Sequence, residues 1–190
     1  MELILASSSP YRRALLSRLH VPFRCEAPRV DETPFPGEQP VDLALRLARQ
    51  KARAVAGKNP LALVIGSDQV ACGEDTILGK PGNPVAAASH LRASSGKPVR
   101  LYTGLAVISS SGECSLVETF TVHFRHLGED DIDRDLCKEQ PFDCAGSFKC
   151  EGLGIALFER LEGDDPTTLE GLPLIATCRL LRQTGLNVLG

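Results

Sequence analysis

The residues able to do chemistry in this chain gather where apolar runs give out. Ser7 and Arg12 offer hydrogen-bond donors, Asp31, Glu32 and Asp68 offer carboxylates, and Lys51 and Lys80 offer compact positive charge. A lysine suits a phosphate oxygen as an unshaped cation, and an arginine suits it as a planar fork. Hydrolysis of a phosphoanhydride needs such cations to neutralise the oxygens, an oriented water, and usually a magnesium or manganese ion. Carboxylates either bind that ion or accept the water's proton, and residue type alone leaves both roles open. Two rival chemistries lack parts. No histidine lies near a strand-end nucleophile, as a Ser-His-Asp triad requires, and no cysteine has a comparable partner.

The densest group is the run Ser7-Ser8-Ser9-Pro10-Tyr11-Arg12-Arg13. The apolar residues 3–6 before it are too few for a helix and read as a buried strand. Pro10 suits the first position of a helix, Ser9 its N-cap, and Arg12 and Arg13 its first turn. Two arginines there oppose the helix dipole, which favours anions at that end. Hydroxyls, free backbone N–H groups and cations at one helix start make a site for an external anion, most simply phosphate. Two solvated arginines on a capped surface helix are the plainer alternative.

The remaining elements follow from periodicity and punctuation. A short strand is expected at 23–27, then an acidic Arg-Val-Asp-Glu-Thr-Pro loop at 29–34, and a long helix from Pro40 to Ala56 stopped by Gly57. Lys51 lies close to the apolar stripe of that helix, where a snorkelling side chain is the expectation. Residues 61–65 read as the clearest buried strand, with Gly66, Ser67 and Asp68 at its end, a common place for ligands in open α/β sheets. A hairpin is expected at 70–80. Its Gly79-Lys80-Pro81 close imitates a P-loop, but one residue too many separates Gly73 from Gly79, and Pro81 stands where Ser or Thr binds magnesium. A helix at 83–94, strands at 98–109 and 114–125, a solvated acidic helix at 129–139, a glycine-bearing loop at 142–152, a strand at 153–161 and a helix at 173–183 complete the chain. No linker or repeat interrupts it. One domain, residues 1–190, with an α/β fold in two lobes is expected.

Composition excludes several classes. A net charge of −3 removes bulk attraction to nucleic-acid polymers or anionic membranes, so phosphate binding must be local. Aromatics at 5% with no Trp leave no stacking platform for single strands. The 7 cysteines are scattered without a C-x-x-C pair, which argues against a disulfide framework or zinc site and suits a reducing cytoplasm. His123 and His126 are expected on opposite faces of one strand, in structural or exposed positions. No signal peptide or membrane-length apolar run is read, so a cytoplasmic location is expected.

The opening Leu5-Ala6-Ser7 with Ser9-Pro10 and Arg12-Arg13 resembles that of the Maf nucleotide pyrophosphatases. Val30-Asp31-Glu32, Leu47-Ala48 with Gln50-Lys51-Ala52, Ile65-Gly66-Ser67-Asp68, Leu78-Gly79-Lys80-Pro81, Ala145-Gly146-Ser147-Phe148 and Gly171-Leu172-Pro173-Leu174 resemble further blocks of that family, in order. The resemblance implies an inosine-triphosphatase-like α/β fold, with a mixed sheet in two lobes and a cleft between them. It implies cleavage of a nucleoside triphosphate between its α- and β-phosphates, with a divalent cation. Asp68 would accept the proton of the attacking water, Ser7, Arg12, Lys51 and Lys80 would hold the triphosphate, and Glu32, with Asp68, would serve the metal. Tyr11, Gln69 and Glu151 resemble the branch that cleaves 7-methyl-GTP, not the dTTP/UTP branch, which usually carries arginine, threonine and glutamine there. A house-cleaning role against modified nucleotides would follow. The dTTP/UTP activity and a nucleotide-binding regulator of cell division are the alternatives, and a homodimer is compatible with the family.

Overall fold

In the computed structural model, which describes residues 2–74 and 76–190, the chain runs β1 (Leu3–Ala6), α1 (Pro10–Ser17), β2 (Arg24–Cys25), α2 (Pro40–Ala56), β3 (Leu63–Gly73) and β4 (Thr76–Leu78). It continues through α3 (Pro84–Ser94), β5 (Pro98–Ser109), β6 (Gly112–Phe124), α4 (Glu129–Glu139), β7 (Phe158–Glu162) and α5 (Leu174–Gln183). The strands form one mixed seven-stranded sheet in the order β2-β1-β3-β5-β6-β7, with β4 beside β3. Two compact units are made from these elements: Met1–Gln69, Thr103–Glu118 and Asp165–Gly190 form the first, Val70–Tyr102 and Thr119–Asp164 the second.

The pleat organises the first unit. β1 and β3 are parallel, with Leu3 opposite Leu63 and Ala6 opposite Gly66. Successive side chains take opposite faces. Leu3, Leu5, Leu63, Ile65, Leu105 and Val107 therefore pack with Leu15 and Leu16 of α1 and with Ala176, Leu180 and Leu181 of α5. Ile4, Ala6, Val64 and Ala106 take the other face, against Ala48, Ala52 and Val55 of α2. The small residues are what bring α2 so near. A side chain at Gly66 would overlap the Ala48 carbonyl and the backbone of Ala52, and one at Gly104 would overlap the Ala44 carbonyl.

Gly66 thus lies inside a strand. The strand expected at 61–65 begins at Leu63, with Leu61 85% exposed, and runs on through Ser67 and Asp68 to Gly73. Pairing with β1 ends at Gly66, while β3 runs on between β5 and, from Ala71, β4, and the absence of a Cβ serves packing instead of a turn.

In the second unit β3 and β4 form the expected antiparallel hairpin, Ala71 opposite Leu78; Asp75, inside that stretch, lies outside the described residues. Asn83 caps α3 by accepting from the Ala86 N–H at 2.9 Å. Phe124, Phe148 and Phe158 meet edge to face with centroids 5.0–5.6 Å apart. Three expectations change here. Residues 153–157 form a 3₁₀ turn instead of a strand, because the Gly152 and Ile155 N–H groups bond back to Lys149 and Gly152. His126 falls beyond the end of β6, while His123 bonds Glu162 at 3.0 Å. The acidic α4 is not wholly solvated, since Asp135 is 3% exposed with neither carboxylate oxygen hydrogen-bonded.

Candidate active site

Asp68 continues the even-numbered face of β3, so it points toward α2, and Lys51 on α2 meets it. The Lys51 Nζ lies 2.5 Å from Asp68 Oδ1 and 2.7 Å from Glu32 Oε1. Only 6% of Lys51 and 7% of Asp68 is exposed. The expected snorkelling lysine is instead a buried ammonium clamped between two carboxylates. Burial of a charge at this depth requires such partners.

Glu32 reaches Lys51 because its loop is strapped to α2. Arg46 donates to Glu38 at 2.6 and 2.7 Å and to the Thr33 carbonyl at 3.1 Å, and its guanidinium lies 4.0 Å over the Phe35 ring. The Arg46 bonds hold the Glu38 carboxyl far below its ordinary range, at about 2. Asp31 acts locally, its Oδ1 accepting from the N–H and hydroxyl of Thr33 at 2.9 and 2.7 Å to form the turn beside Glu32.

The odd-numbered residues Ser67 and Gln69 take the opposite face of β3, toward α1 and residues 165–171. Ser67, fully buried, places its hydroxyl 2.9 Å from the Gly104 carbonyl and 2.8 Å from that of Gly171. The Gly171 carbonyl also accepts from Arg12 Nε at 2.9 Å. Ser9 caps α1 as expected, accepting weakly from the Arg12 N–H at 3.4 Å, and buried Ser7 accepts from the Ser9 N–H at 3.1 Å. Desolvation pushes the Arg12 pKa below that of a free guanidinium, and the fields of Asp68 and Glu32 oppose the shift. Arg12 is therefore within electrostatic reach of both carboxylates.

Ser7, Arg12, Glu32, Lys51 and Asp68 thus belong to one end of the first unit, with partly buried Tyr11 beside Arg12 on α1. Gln69 donates its amide to the Thr168 carbonyl at 2.6 Å and to Thr103 Oγ1 at 3.1 Å. Lys80 and Glu151 belong to the second unit. Lys80 is exposed between β4 and α3, and Glu151 is exposed at the end of the 142–152 loop. Lys149, two residues from Glu151, donates to the Glu139 carbonyl at 2.9 Å. Sequence reasoning gave no role to Ser67, Gly171 or Arg46. The first two lie inside recognisable blocks, but nothing in their spacing, over a hundred residues apart in the chain, marks them as partners.

Along residues 2–184 the chain matches the Maf family, described as Maf-like protein. It belongs to that family. Membership supports nucleotide pyrophosphatase chemistry, and the mixed α/β sheet agrees with the inosine-triphosphatase-like fold expected from the motifs. Among solved structures, the Ham1 protein of Staphylococcus aureus is similar at 14% identity over 65% of this chain and 72% of that one, with a TM-score of 0.48. A HAM1 protein from Coxiella burnetii is similar at 16% identity over 65% and 73%, with a TM-score of 0.45. At that distance they add nothing to the family assignment. Among the described residues of this Maf protein, no helix is long and apolar enough to cross a membrane, and the cysteines are free thiols.

The carboxylates of this Maf protein suit a cation that arrives with phosphate. Among the described residues no three His, Cys, Asp or Glu side chains group as a metal cage. Magnesium is commonly held by one or two carboxylates together with substrate phosphates and water, and Glu32 with Asp68 supplies that number.

Proposed function

We propose that this Maf protein hydrolyses nucleoside triphosphates to the monophosphate and pyrophosphate, with 7-methyl-GTP its preferred substrate. The observation that carries the proposal is the Lys51 ammonium set between Asp68 and Glu32. Lys51 contacts two anions, Glu32 and Asp68, and Arg12 is within electrostatic reach of both, so this group is close to neutral. A triphosphate brings several negative charges, and its binding calls for a further cation. Lys80 is assigned to it by the resemblance of its motif, as is a magnesium or manganese ion held by Glu32 and Asp68. Such an ion, when bound, neutralises phosphate oxygens and stabilises the charge that develops on them.

The chain's own groups do the rest. Arg12 and Ser7 present donors to the phosphates, and Lys51 has a third N–H beyond the two directed at carboxylates. Asp68 accepts the proton of a water whose oxygen attacks the α-phosphorus. The bond to the bridging oxygen breaks and pyrophosphate departs with the electron pair. By resemblance Tyr11, Gln69 and Glu151 mark the 7-methyl-GTP branch, and Tyr11 and Glu151 are the two assigned to read the base. The test is steady-state release of pyrophosphate from 7-methyl-GTP, GTP, UTP and dTTP with magnesium or manganese. Release from the methylated nucleotide with the highest kcat/KM is expected. A preference for UTP or dTTP would move the protein to the other branch, and tight binding without turnover would make it a regulator.

A further inference from the structure

We infer that the Gly171 carbonyl is a positioning group that sets the Arg12 guanidinium for the triphosphate, and that Gln69 holds this carbonyl in register; the inference rests on the pyrophosphatase reading above.

A single backbone oxygen here joins two elements. It accepts from Arg12 Nε of α1 at 2.9 Å and from Ser67 Oγ of β3 at 2.8 Å. Ser67 directly precedes Asp68, so the strand that fixes the proposed base also fixes the anchor of the arginine. Binding through Nε fixes the plane of the guanidinium while sparing its two terminal nitrogens, the pair that forks onto phosphate. The turn presenting the carbonyl is itself locked. Asp165 accepts from the N–H groups of Thr167 and Ile175 at 2.9 and 2.7 Å, tying the turn to the start of α5. The Thr168 carbonyl accepts from Gln69 Nε2 at 2.6 Å and from the Gly171 N–H at 3.1 Å. Glu170 binds Arg18 of α1 at 3.2 Å. Gly171 has φ +93°, and a Cβ there would lie 3.3–3.4 Å from the Arg12 guanidinium. Only glycine meets both demands without moving the arginine.

This placement changes what Gln69 is for. Its side-chain amide is committed to the backbone of residues 165–171, on the face of β3 opposite Asp68. Acting through Gly171, it governs the grip on the phosphates common to all triphosphates and leaves the choice of base to other groups.

Pyrophosphate release from 7-methyl-GTP, GTP and UTP separates the possibilities. Gly171→Ala should raise KM for each nucleotide about tenfold, and Gln69→Ala by about threefold, with kcat changing less. The order of preference among the three should stay that of the wild type. Arg12→Lys, which keeps the charge but lacks the Nε bond, should resemble Gly171→Ala. Adding Gly171→Ala to Arg12→Ala should cost nothing further, since the glycine acts only through the arginine. Additive losses in that pair, a wild-type KM in Arg12→Lys, or a changed order of nucleotides in Gln69→Ala would each overturn the inference. Gln69→Ala and Arg12→Lys keep the test decisive should the alanine at 171 prevent folding. A wild-type protein that releases no pyrophosphate from any triphosphate fails the pyrophosphatase reading itself, a result distinct from active variants with unmoved KM.

Discussion

Lys51 makes sense only together with its two carboxylates. An ammonium that is 6% exposed needs compensation, and Asp68 and Glu32 supply it. Removing the charge while keeping the stem, as in Lys51→Met, leaves buried Asp68 facing Glu32 with no cation between them. Stability at neutral pH should fall by about 2–4 kcal/mol, read from urea unfolding. Much of that loss should return in the double variant Lys51→Met with Asp68→Asn, where one repelling charge is gone. Equal losses in the single and double variants would mean that the lysine contributes packing alone. Asp68→Asn by itself preserves shape and hydrogen bonding but cannot take a proton. Turnover should drop by at least about 100-fold, the scale for a positioned base, with far-UV circular dichroism unchanged. Near-normal turnover would take Asp68 out of the chemistry.

Elements were legible where one face is buried and one is not. The 3.6-residue stripe of α2, opened by Pro40 and stopped by Gly57, is found at its expected bounds, and so is α4. β3 was harder, because a glycine reads as an end unless the helix that needs it is in view. α4 carries a subtler lesson. Its Glu and Asp residues look uniformly solvated in sequence, yet the helical repeat sets Asp135 beside buried Ile132 and Leu136. Burial, with the nearby Glu139 and against the weaker pull of Lys149, raises the Asp135 pKa from 3.8 to about 6. The folded state therefore holds this proton more tightly than the unfolded chain does. The cost of ionising Asp135 is fully present above pH 6 and is relieved as pH falls toward 4. Asp135→Asn should raise stability by about 1–3 kcal/mol at pH 8 and by about a third of that at pH 4.5. Urea midpoints at the two pH values check this; an equal gain at both would show that ionisation of Asp135 is not the cause.

The whole molecule divides in a way that sequence punctuation does not announce. β3, β5 and β6 each leave one unit and enter the other without a linker, so no shift in composition marks the boundaries. The residues singled out by their motifs are divided with it. Ser7, Tyr11, Arg12, Glu32, Lys51, Asp68 and Gln69 belong to the first unit, Lys80 and Glu151 to the second. Order along the chain made them legible as motif blocks, while the bonds joining Arg12 and Ser67 to Gly171 had no local signal. Substrate choice is the property to be tested at Tyr11 of the first unit and Glu151 of the second. Methylation at N7 gives the guanine ring a positive charge, which the face of Tyr11 would attract by about 0.5–2 kcal/mol. Arginine at that position would repel it. Glu151, exposed and anionic, can accept from the guanine N–H groups while complementing the ring charge, whereas glutamine brings no charge. Together these effects amount to about 1–3 kcal/mol, or roughly tenfold to a hundredfold in kcat/KM for 7-methyl-GTP over GTP. Tyr11→Arg and Glu151→Gln should each erode that ratio while leaving the kcat/KM of GTP within about threefold of wild type. Added salt should weaken the binding of both nucleotides through their common phosphates and alter their ratio less. A methyl preference that survives both substitutions intact would mean that the base is read by other groups.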